Sequence, residues 1–212
     1  FIGYFGIAAA ASLLIAVDLL GDYYDSFWTA LRYAFFQVSS VMTTTGFATT
    51  NFDLWPSFSK AILVLVMFIG ASAGSTGGGI KVSRILLLAK TAKQEIVKML
   101  NPRRTSAVRM DGHTVEITTI RAALVFFTLY ITITFISTVI VALDGFDLVT
   151  TFTSVVTCIS NVGPGLGEVG PMGNFSAFSD ISKLILSADM LLGRLEIFPI
   201  LILFTPSTWR KK

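Results

Sequence analysis

Two short segments of this chain place a glycine at the same point after an apolar, hydroxyl-rich stretch: Thr44-Thr45-Gly46-Phe47-Ala48 and Asn161-Val162-Gly163-Pro164-Gly165. Aligned with the TVGYG loops whose backbone carbonyls replace the hydration shell of potassium, both keep the central glycine in register. The chemistry open to such segments is coordination by main-chain oxygen. A strand that turns one carbonyl after another to the same side needs backbone angles that glycine reaches without steric cost. One such glycine is an ordinary turn in a soluble loop; two copies in the same apolar setting point to a pair of cation-coordinating strands. The candidate ligands are the backbone carbonyls of Thr44, Thr45, Gly46, Phe47, Asn161, Val162, Gly163 and Pro164, and the ion that suits them is K+. Side-chain chemistry is scarce by comparison. Cys158 is the sole cysteine and His113 the sole histidine, so neither a disulfide framework, a metal site nor a nucleophilic dyad can be assembled. No enzymatic site and no organic cofactor is expected.

The surroundings of these segments follow from composition. Hydrophobic residues make up 53% of the chain and charged residues 14%, against about 25% charged in soluble domains; the mean hydropathy is +0.75. This is the composition of a multi-pass membrane protein embedded in lipid. Nine of the sixteen basic residues lie between Lys81 and Arg121, and Arg210, Lys211 and Lys212 close the chain; the positive-inside rule makes both stretches cytoplasmic. Asp18, Asp22, Asp25, Asp53, Asp144, Asp147, Glu168 and Asp180 then fall on the other side, as an acidic mouth for a cation pathway or as scattered loop carboxylates. The basic residues are explained by topology, and no aromatic residues interleave with them to stack bases. Nucleic acid is therefore not an expected partner. Residues 1–17 are uncharged and would span about 25 Å as a helix, short of a hydrocarbon core of about 30 Å, so the N-terminus is expected to be truncated. No cleavable signal peptide is evident.

The order of elements repeats. A membrane helix over 1–20, a shorter segment over 26–42, the Gly46 motif and a second apolar run from residue 59 form one unit. A membrane helix over 115–143, a shorter segment over 147–159, the Gly163 motif and an apolar run over 183–204 form another. The segment 147–159 is about 20 Å long as a helix, too short to cross a bilayer, and must enter and return. Backbone of that kind survives at membrane depth only where it is buried in protein or lines water. The expected organisation is a pore unit over 1–100, a cytoplasmic linker over 101–114 and a second pore unit over 115–212. The fold class is all-α membrane protein.

Two irregularities stand out within the units. The helix that starts at residue 59 is interrupted by glycines over 71–79 after about 18 Å, too little to span. Gly74 to Lys81 looks like a GxxxxGK[ST] phosphate loop, but Ile80 occupies the lysine position and a preceding strand is absent. The GxGxxG over 165–170 follows a short helix and runs into Pro171, so it opens no Rossmann unit. The second irregularity is Arg194, placed mid-way along 183–204 with Asp189 and Glu196 in a setting where each charge costs about 2.5 to 3.5 kcal/mol. At about 100° per residue Asp189 and Glu196 share a face and Arg194 does not. Its partner is expected from another element.

The segments 43–53, 70–84, 160–165 and 193–199, read as TTTGFATTNFD, GASAGSTGGGIKVSR, SNVGPG and GRLEIFP, resemble the Trk/Ktr/HKT potassium transporter superfamily of bacteria, in the right order and over essentially the whole chain. The resemblance implies four such units around one pore, of which this chain holds two, similar to the third and fourth. It implies that Gly74, Ser75, Thr76, Gly77, Gly78 and Gly79 belong to an intramembrane loop that obstructs the pore and moves on opening, with Arg194 as a cationic barrier beside it. A static kink and a structural ion pair are the plainer alternatives. The partners it implies are the remaining two pore units, a second copy in a homodimer, and a cytosolic nucleotide-binding regulatory subunit of TrkA type docking on the basic segment 81–109. The location it implies is the bacterial cell inner membrane, and the activity gated potassium uptake through a selectivity filter, with channel-like passage and proton- or sodium-coupled symport both open. A secondary cation transporter with broken helices and alternating access is the competing reading.

Overall fold

The computed structural model describes residues 2–70, 75, 77–101, 108–110 and 113–195. The first unit opens with α1 (Ile2–Asp18) and α2 (Phe27–Met42), a helical hairpin whose contact face is built from small residues. Ala8, Ala11, Ser12 and Ile15 recur on one stripe of α1, continued by Leu19 just past its end, and Ala30, Ala34, Val38 and Val41 on the facing stripe of α2. Alanine and serine let the two backbones approach closely, which is how helices associate when lipid offers no hydrophobic contrast. The Ser12 hydroxyl donates to the Ala8 carbonyl at 2.7 Å, so it brings no unpaired donor into the contact.

After the Gly46 segment comes α3 (Ser57–Phe68). Its start is tied to the end of α1: the Asp18 carboxylate accepts from the Ser59 backbone N–H at 3.2 Å and from its hydroxyl at 2.6 Å. The interruption expected after it is present but begins earlier. The helix occupies Ser57–Phe68 instead of 59–70 because Ile69–Gly70 leaves the helix to form β1, paired in parallel with β2 (Ile80–Lys81). A parallel pair puts the exit and the return of the excursion side by side. α4 (Val82–Leu100) follows directly on β2. Within the stretch expected to be a linker, β3 (Arg109–Met110) and β4 (His113–Thr114) pair antiparallel, and Val108 is buried against Leu87 and Ala123.

The second unit repeats the order. α5 (Ile117–Val141) has 25 residues, about 37 Å at 1.5 Å per residue, and with the one-turn 3-10 helix Ala142–Asp144 it is the one helix among the described residues long and apolar enough to cross a membrane. Its threonines bond within the helix: Thr128 to the Leu124 carbonyl, Thr134 to Tyr130 and Thr138 to Thr134, at 2.7 to 3.0 Å. α6 (Leu148–Ile159) has 12 residues, about 18 Å, matching the short segment expected there. The last helix, α7, runs over Asp180–Arg194 and not from residue 183. Ser179 moves its start back by accepting from the Ser182 N–H at 3.2 Å, and the Asp144 carboxylate holds Ser179 in turn by accepting from its N–H at 3.0 Å.

Asp147 caps α6, its carboxylate accepting from the N–H groups of Val149 at 3.1 Å and Thr150 at 3.2 Å. The bonds to the Thr150 side chain and backbone first, with that to Val149, hold the carboxyl below the usual aspartate range against the opposing effect of burial. A carboxyl held low stabilises the fold above its unfolded pKa, and that contribution is lost as pH falls through its folded pKa. We predict that Asp147→Ala lowers stability by about 1 kcal/mol, the usual cost of deleting an N-cap, while Asp147→Asn loses less. Thermal unfolding of the full-length protein in detergent measures this, and the wild-type advantage over Asp147→Ala should shrink on acidification.

Candidate functional site

Both glycine segments leave a short helix by the same set of bonds. At the end of α2 the N–H groups of Thr43, Thr44 and Thr45 donate to the carbonyls of Ser39, Val41 and Ser40 at 2.9, 3.1 and 2.9 Å. At the end of α6 those of Ser160, Asn161 and Val162 donate to Val156, Cys158 and Thr157 at 3.0, 3.0 and 2.9 Å. The N–H groups are thus committed backwards to the helix.

The backbone then alternates. Thr44 has φ 56° and Gly46 φ 79°; Asn161 has φ 56° and Gly163 φ 114°; Thr45 and Val162 between them have negative φ. In an extended strand successive groups point to opposite faces; a φ that changes sign at every second residue departs from that pattern in the same way in both segments. Glycine was expected to carry this geometry alone. The left-handed conformation at Thr44 and Asn161 was not legible in the sequence, although asparagine tolerates it better than a β-branched threonine. Residues held there cost about 1 to 3 kcal/mol each and persist only where the surroundings enforce them.

The enforcement comes from hydroxyls on the supporting helices, residues the sequence reading passed over. Thr157 Oγ1 accepts from the Gly163 N–H at 3.0 Å and donates to the Pro164 carbonyl at 3.1 Å. One turn earlier, Thr153 Oγ1 lies 3.0 Å from the Leu166 N–H it accepts from and 3.3 Å from the Leu166 carbonyl; earlier again, Thr150 accepts from the Glu168 N–H at 3.3 Å. The i, i+3, i+7 spacing that puts these threonines on one face of α6 was the available signal. In the first unit Ser40 Oγ donates to the Phe47 carbonyl at 2.6 Å, and Gln37 reaches the Thr49 hydroxyl at 3.3 Å. Tyr130 of α5 shares a 2.7 Å bond with the Ser160 hydroxyl just ahead of the second segment.

Tertiary packing brings the two segments together. A Cβ added to Gly46 would run into the Val162 carbonyl oxygen and lie 3.4 Å from Pro164 Cδ, and one added to Gly163 would lie 3.8 Å from Gly46 Cα. The loops that follow are tied as well, since Asp53 Oδ1 accepts from the Gly167 N–H at 3.0 Å. Beneath the second segment, the last turn of α6 is the floor for two other elements. Gly78 packs on the Ser160 carbonyl, where a Cβ would be 3.0 Å from Asn161 Cβ, and Gly193 of α7 packs on the Ile159 carbonyl, where a Cβ would be 2.7 Å from Asn161 Nδ2. Asn161 Nδ2 also donates to the Met190 carbonyl at 3.1 Å. The interrupted helix and the residue next to Arg194 therefore meet on the same three residues. Gly77 N–H donates to Ser75 Oγ at 3.1 Å and Gly79 has φ 74°; Gly74 and Thr76 lie outside the described residues, as does Glu196.

Arg194 is the last residue of α7 and is exposed among the described residues, where a cation complements the carbonyl end of the helix; the rest of the apolar run over 183–204 lies outside the described residues. Asp189 is buried and bonds across to α5, accepting from Ser137 Oγ at 2.9 Å. Of the carboxylates assigned to an acidic mouth, Asp18, Asp53, Asp144 and Asp147 are occupied in holding N–H groups of helix starts and loops.

Residues 25–211 match the TrkH family, described as a cation transport protein. The Trk system potassium uptake protein TrkH of Salmonella typhimurium is 42% identical over 188 residues, covering 89% of this chain and 38% of that protein. The Trk system potassium uptake protein TrkG of Escherichia coli K12 is 38% identical over 178 residues, 84% of this chain and 36% of the relative. The crystal structure of the potassium transporter TrkH from Vibrio parahaemolyticus superimposes with a TM-score of 0.87 at 37% identity, over 98% of this chain and 44% of that one. The chain thus spans well under half the length of the relatives it matches.

The packing around the two glycines ranks their substitutions. Gly163→Ala meets only an ordinary contact and should cost about 1 to 2 kcal/mol, the penalty of a left-handed L-residue. Gly46→Ala adds a collision with the Val162 backbone and should be the more damaging of the two. Thermal unfolding of the full-length variants checks the order, and equal losses would mean that the two strands do not adjoin as described.

Proposed function

The chain belongs to the TrkH cation transport family, and from that premise we propose that it supplies two of four filter-bearing units of a gated potassium uptake pathway in a bacterial inner membrane. The observation that carries the proposal is the pair of glycine segments with the same alternating φ, the same backward N–H bonds and direct contact at Gly46. Potassium sheds its water where carbonyl oxygens replace the hydration shell. On this reading those oxygens belong to the filter strands 44–47 and 161–164, and two further units complete the cage, because two strands wall only part of a desolvated ion. α2 and α6 are the pore helices. The names of the relatives, potassium uptake proteins of the Trk system, agree with potassium as the cargo.

Gly77 to Gly79 and Arg194 would form the barrier below the filter. Gly78 and Gly193 both rest on the last turn of α6, so a loop without side chains and a fixed positive charge stand at one level of the pathway. A second copy of the protein and a cytosolic nucleotide-binding regulator of TrkA type are the partners this reading expects. The break between α3 and α4 also suits a carrier with interrupted helices. Repetition of helix, short helix and strand in the same order in both units favours the pore.

Two measurements on the full-length protein in liposomes test the proposal. Gly46→Ser or Gly163→Ser should reduce the potassium-to-sodium flux ratio about tenfold, equivalent to about 1.4 kcal/mol of discrimination, because a side chain at a left-handed position displaces the neighbouring carbonyls. Unchanged ratios in both variants would remove the filter. Arg194→Ala should raise resting potassium flux several-fold, and a resting flux at or below wild type would leave the arginine as a helix-end charge only.

A further inference from the structure

The two supporting helices treat one carbonyl of each strand differently from the rest. In both units a hydroxyl on the helix reaches the carbonyl seven residues on: Ser40 Oγ to Phe47 O at 2.6 Å, Thr157 Oγ1 to Pro164 O at 3.1 Å. Ser40 is 7% exposed and Thr157 fully buried, so both donors sit against the protein interior. The two motifs share no residue type at these positions, only the hydroxyl and the spacing. A carbonyl that coordinates a desolvated cation must present its oxygen to the ion path, together with those above and below it. One whose oxygen lies within hydrogen-bond distance of a buried hydroxyl on the supporting helix is turned to that helix. Swinging it to the path would leave the hydroxyl unsatisfied in a site closed to water.

We propose that Ser40 and Thr157 are positioning residues that end the coordinating cage at Gly46 and Gly163, by holding the carbonyls of Phe47 and Pro164 off the ion path. This rests on the filter reading and narrows it: Thr44, Thr45, Gly46, Asn161, Val162 and Gly163 supply the ligands, and the strands change function one peptide later, from coordination to anchoring. The anchoring continues beyond that point in the second unit, where Thr153 and Thr150 hold Leu166 and Glu168, and in the first through Gln37 and Thr49. Thr157 also accepts from the Gly163 N–H, which links the anchoring hydroxyl to the last coordinating residue.

Thallous ion, a potassium surrogate with a strong anomalous signal, tests the proposal in crystals of the full-length protein. In the wild type, Tl+ density is expected at the level of the carbonyls of 44–46 and 161–163, with none coordinated by Phe47 or Pro164. Ser40→Ala and Thr157→Val should each free a carbonyl, adding or shifting density at that outer level and changing the potassium-to-sodium flux ratio several-fold. Ser40→Thr, which keeps the hydroxyl, should restore the wild-type ion positions. Wild-type Tl+ coordinated by the Phe47 or Pro164 carbonyl would overturn the inference while leaving the filter in place. Unaltered ion positions and flux ratios in both hydroxyl-deleted variants would do the same. Absence of Tl+ from both strands would remove the filter reading itself.

Discussion

On the filter reading proposed above, each glycine segment offers its carbonyl oxygens to an ion and cannot pair them with a neighbouring strand, so something else has to hold it in shape. In this chain the N–H side of each glycine segment is returned to the helix it has just left, and the positions are secured by hydroxyls on that helix. Much else follows from this constraint. It explains why α6, a helix enclosed on nearly all sides, carries threonine at 150, 153 and 157 where an ordinary buried helix would be aliphatic. Apolar side chains would pack as well there, but they would leave the strand without donors and acceptors in a region that water does not reach.

The two units solve the same problem with different residues. Beside the second strand stand three threonines in successive turns; beside the first stand Ser40 and Gln37. The ends of the long helices are reused in a common way: Asp18 at the end of α1 anchors the start of α3, and Asp144 after α5 anchors the residue that caps α7. Each carboxylate thereby fixes the far end of its unit relative to the near one. Between units, side chains pack, Phe68 against Tyr130 and Phe152, and the two strands themselves meet by backbone, at Gly46 against Val162, with the bond from Gly167 to Asp53 beside them. A contact of backbone on backbone admits almost no change of separation. This makes relative placement of the two strands far stiffer than side-chain packing alone would.

Glycine in the lower part of the chain works in the same sense. Gly78 and Gly193 are places where another element comes down on the carbonyls that end α6, and any side chain would hold the two apart. The interrupted helix is closed at its neck by the pairing of Ile69 with Ile80 and of Gly70 with Lys81.

By itself the sequence determined the kind of molecule and the order of its parts. Apolar composition, the lengths of the runs and the recurrence of a glycine after a short helix depend only on local chemistry: burial in lipid, the rise of a helix, and the backbone angles that lack of a Cβ permits. The existence of α1, α2, α5 and α6, the break after α3 and the place of both glycine segments were readable on those grounds. The start of α7 was not, since it depends on Asp144 meeting Ser179 across a long separation in the chain. Nor were the left-handed Thr44, the partner of Asp189, or the roles of Ser40 and Thr157, each of which is decided by an atom on another element. Hydrogen bonds act over about 3 Å, and only the tertiary structure decides which groups come that close.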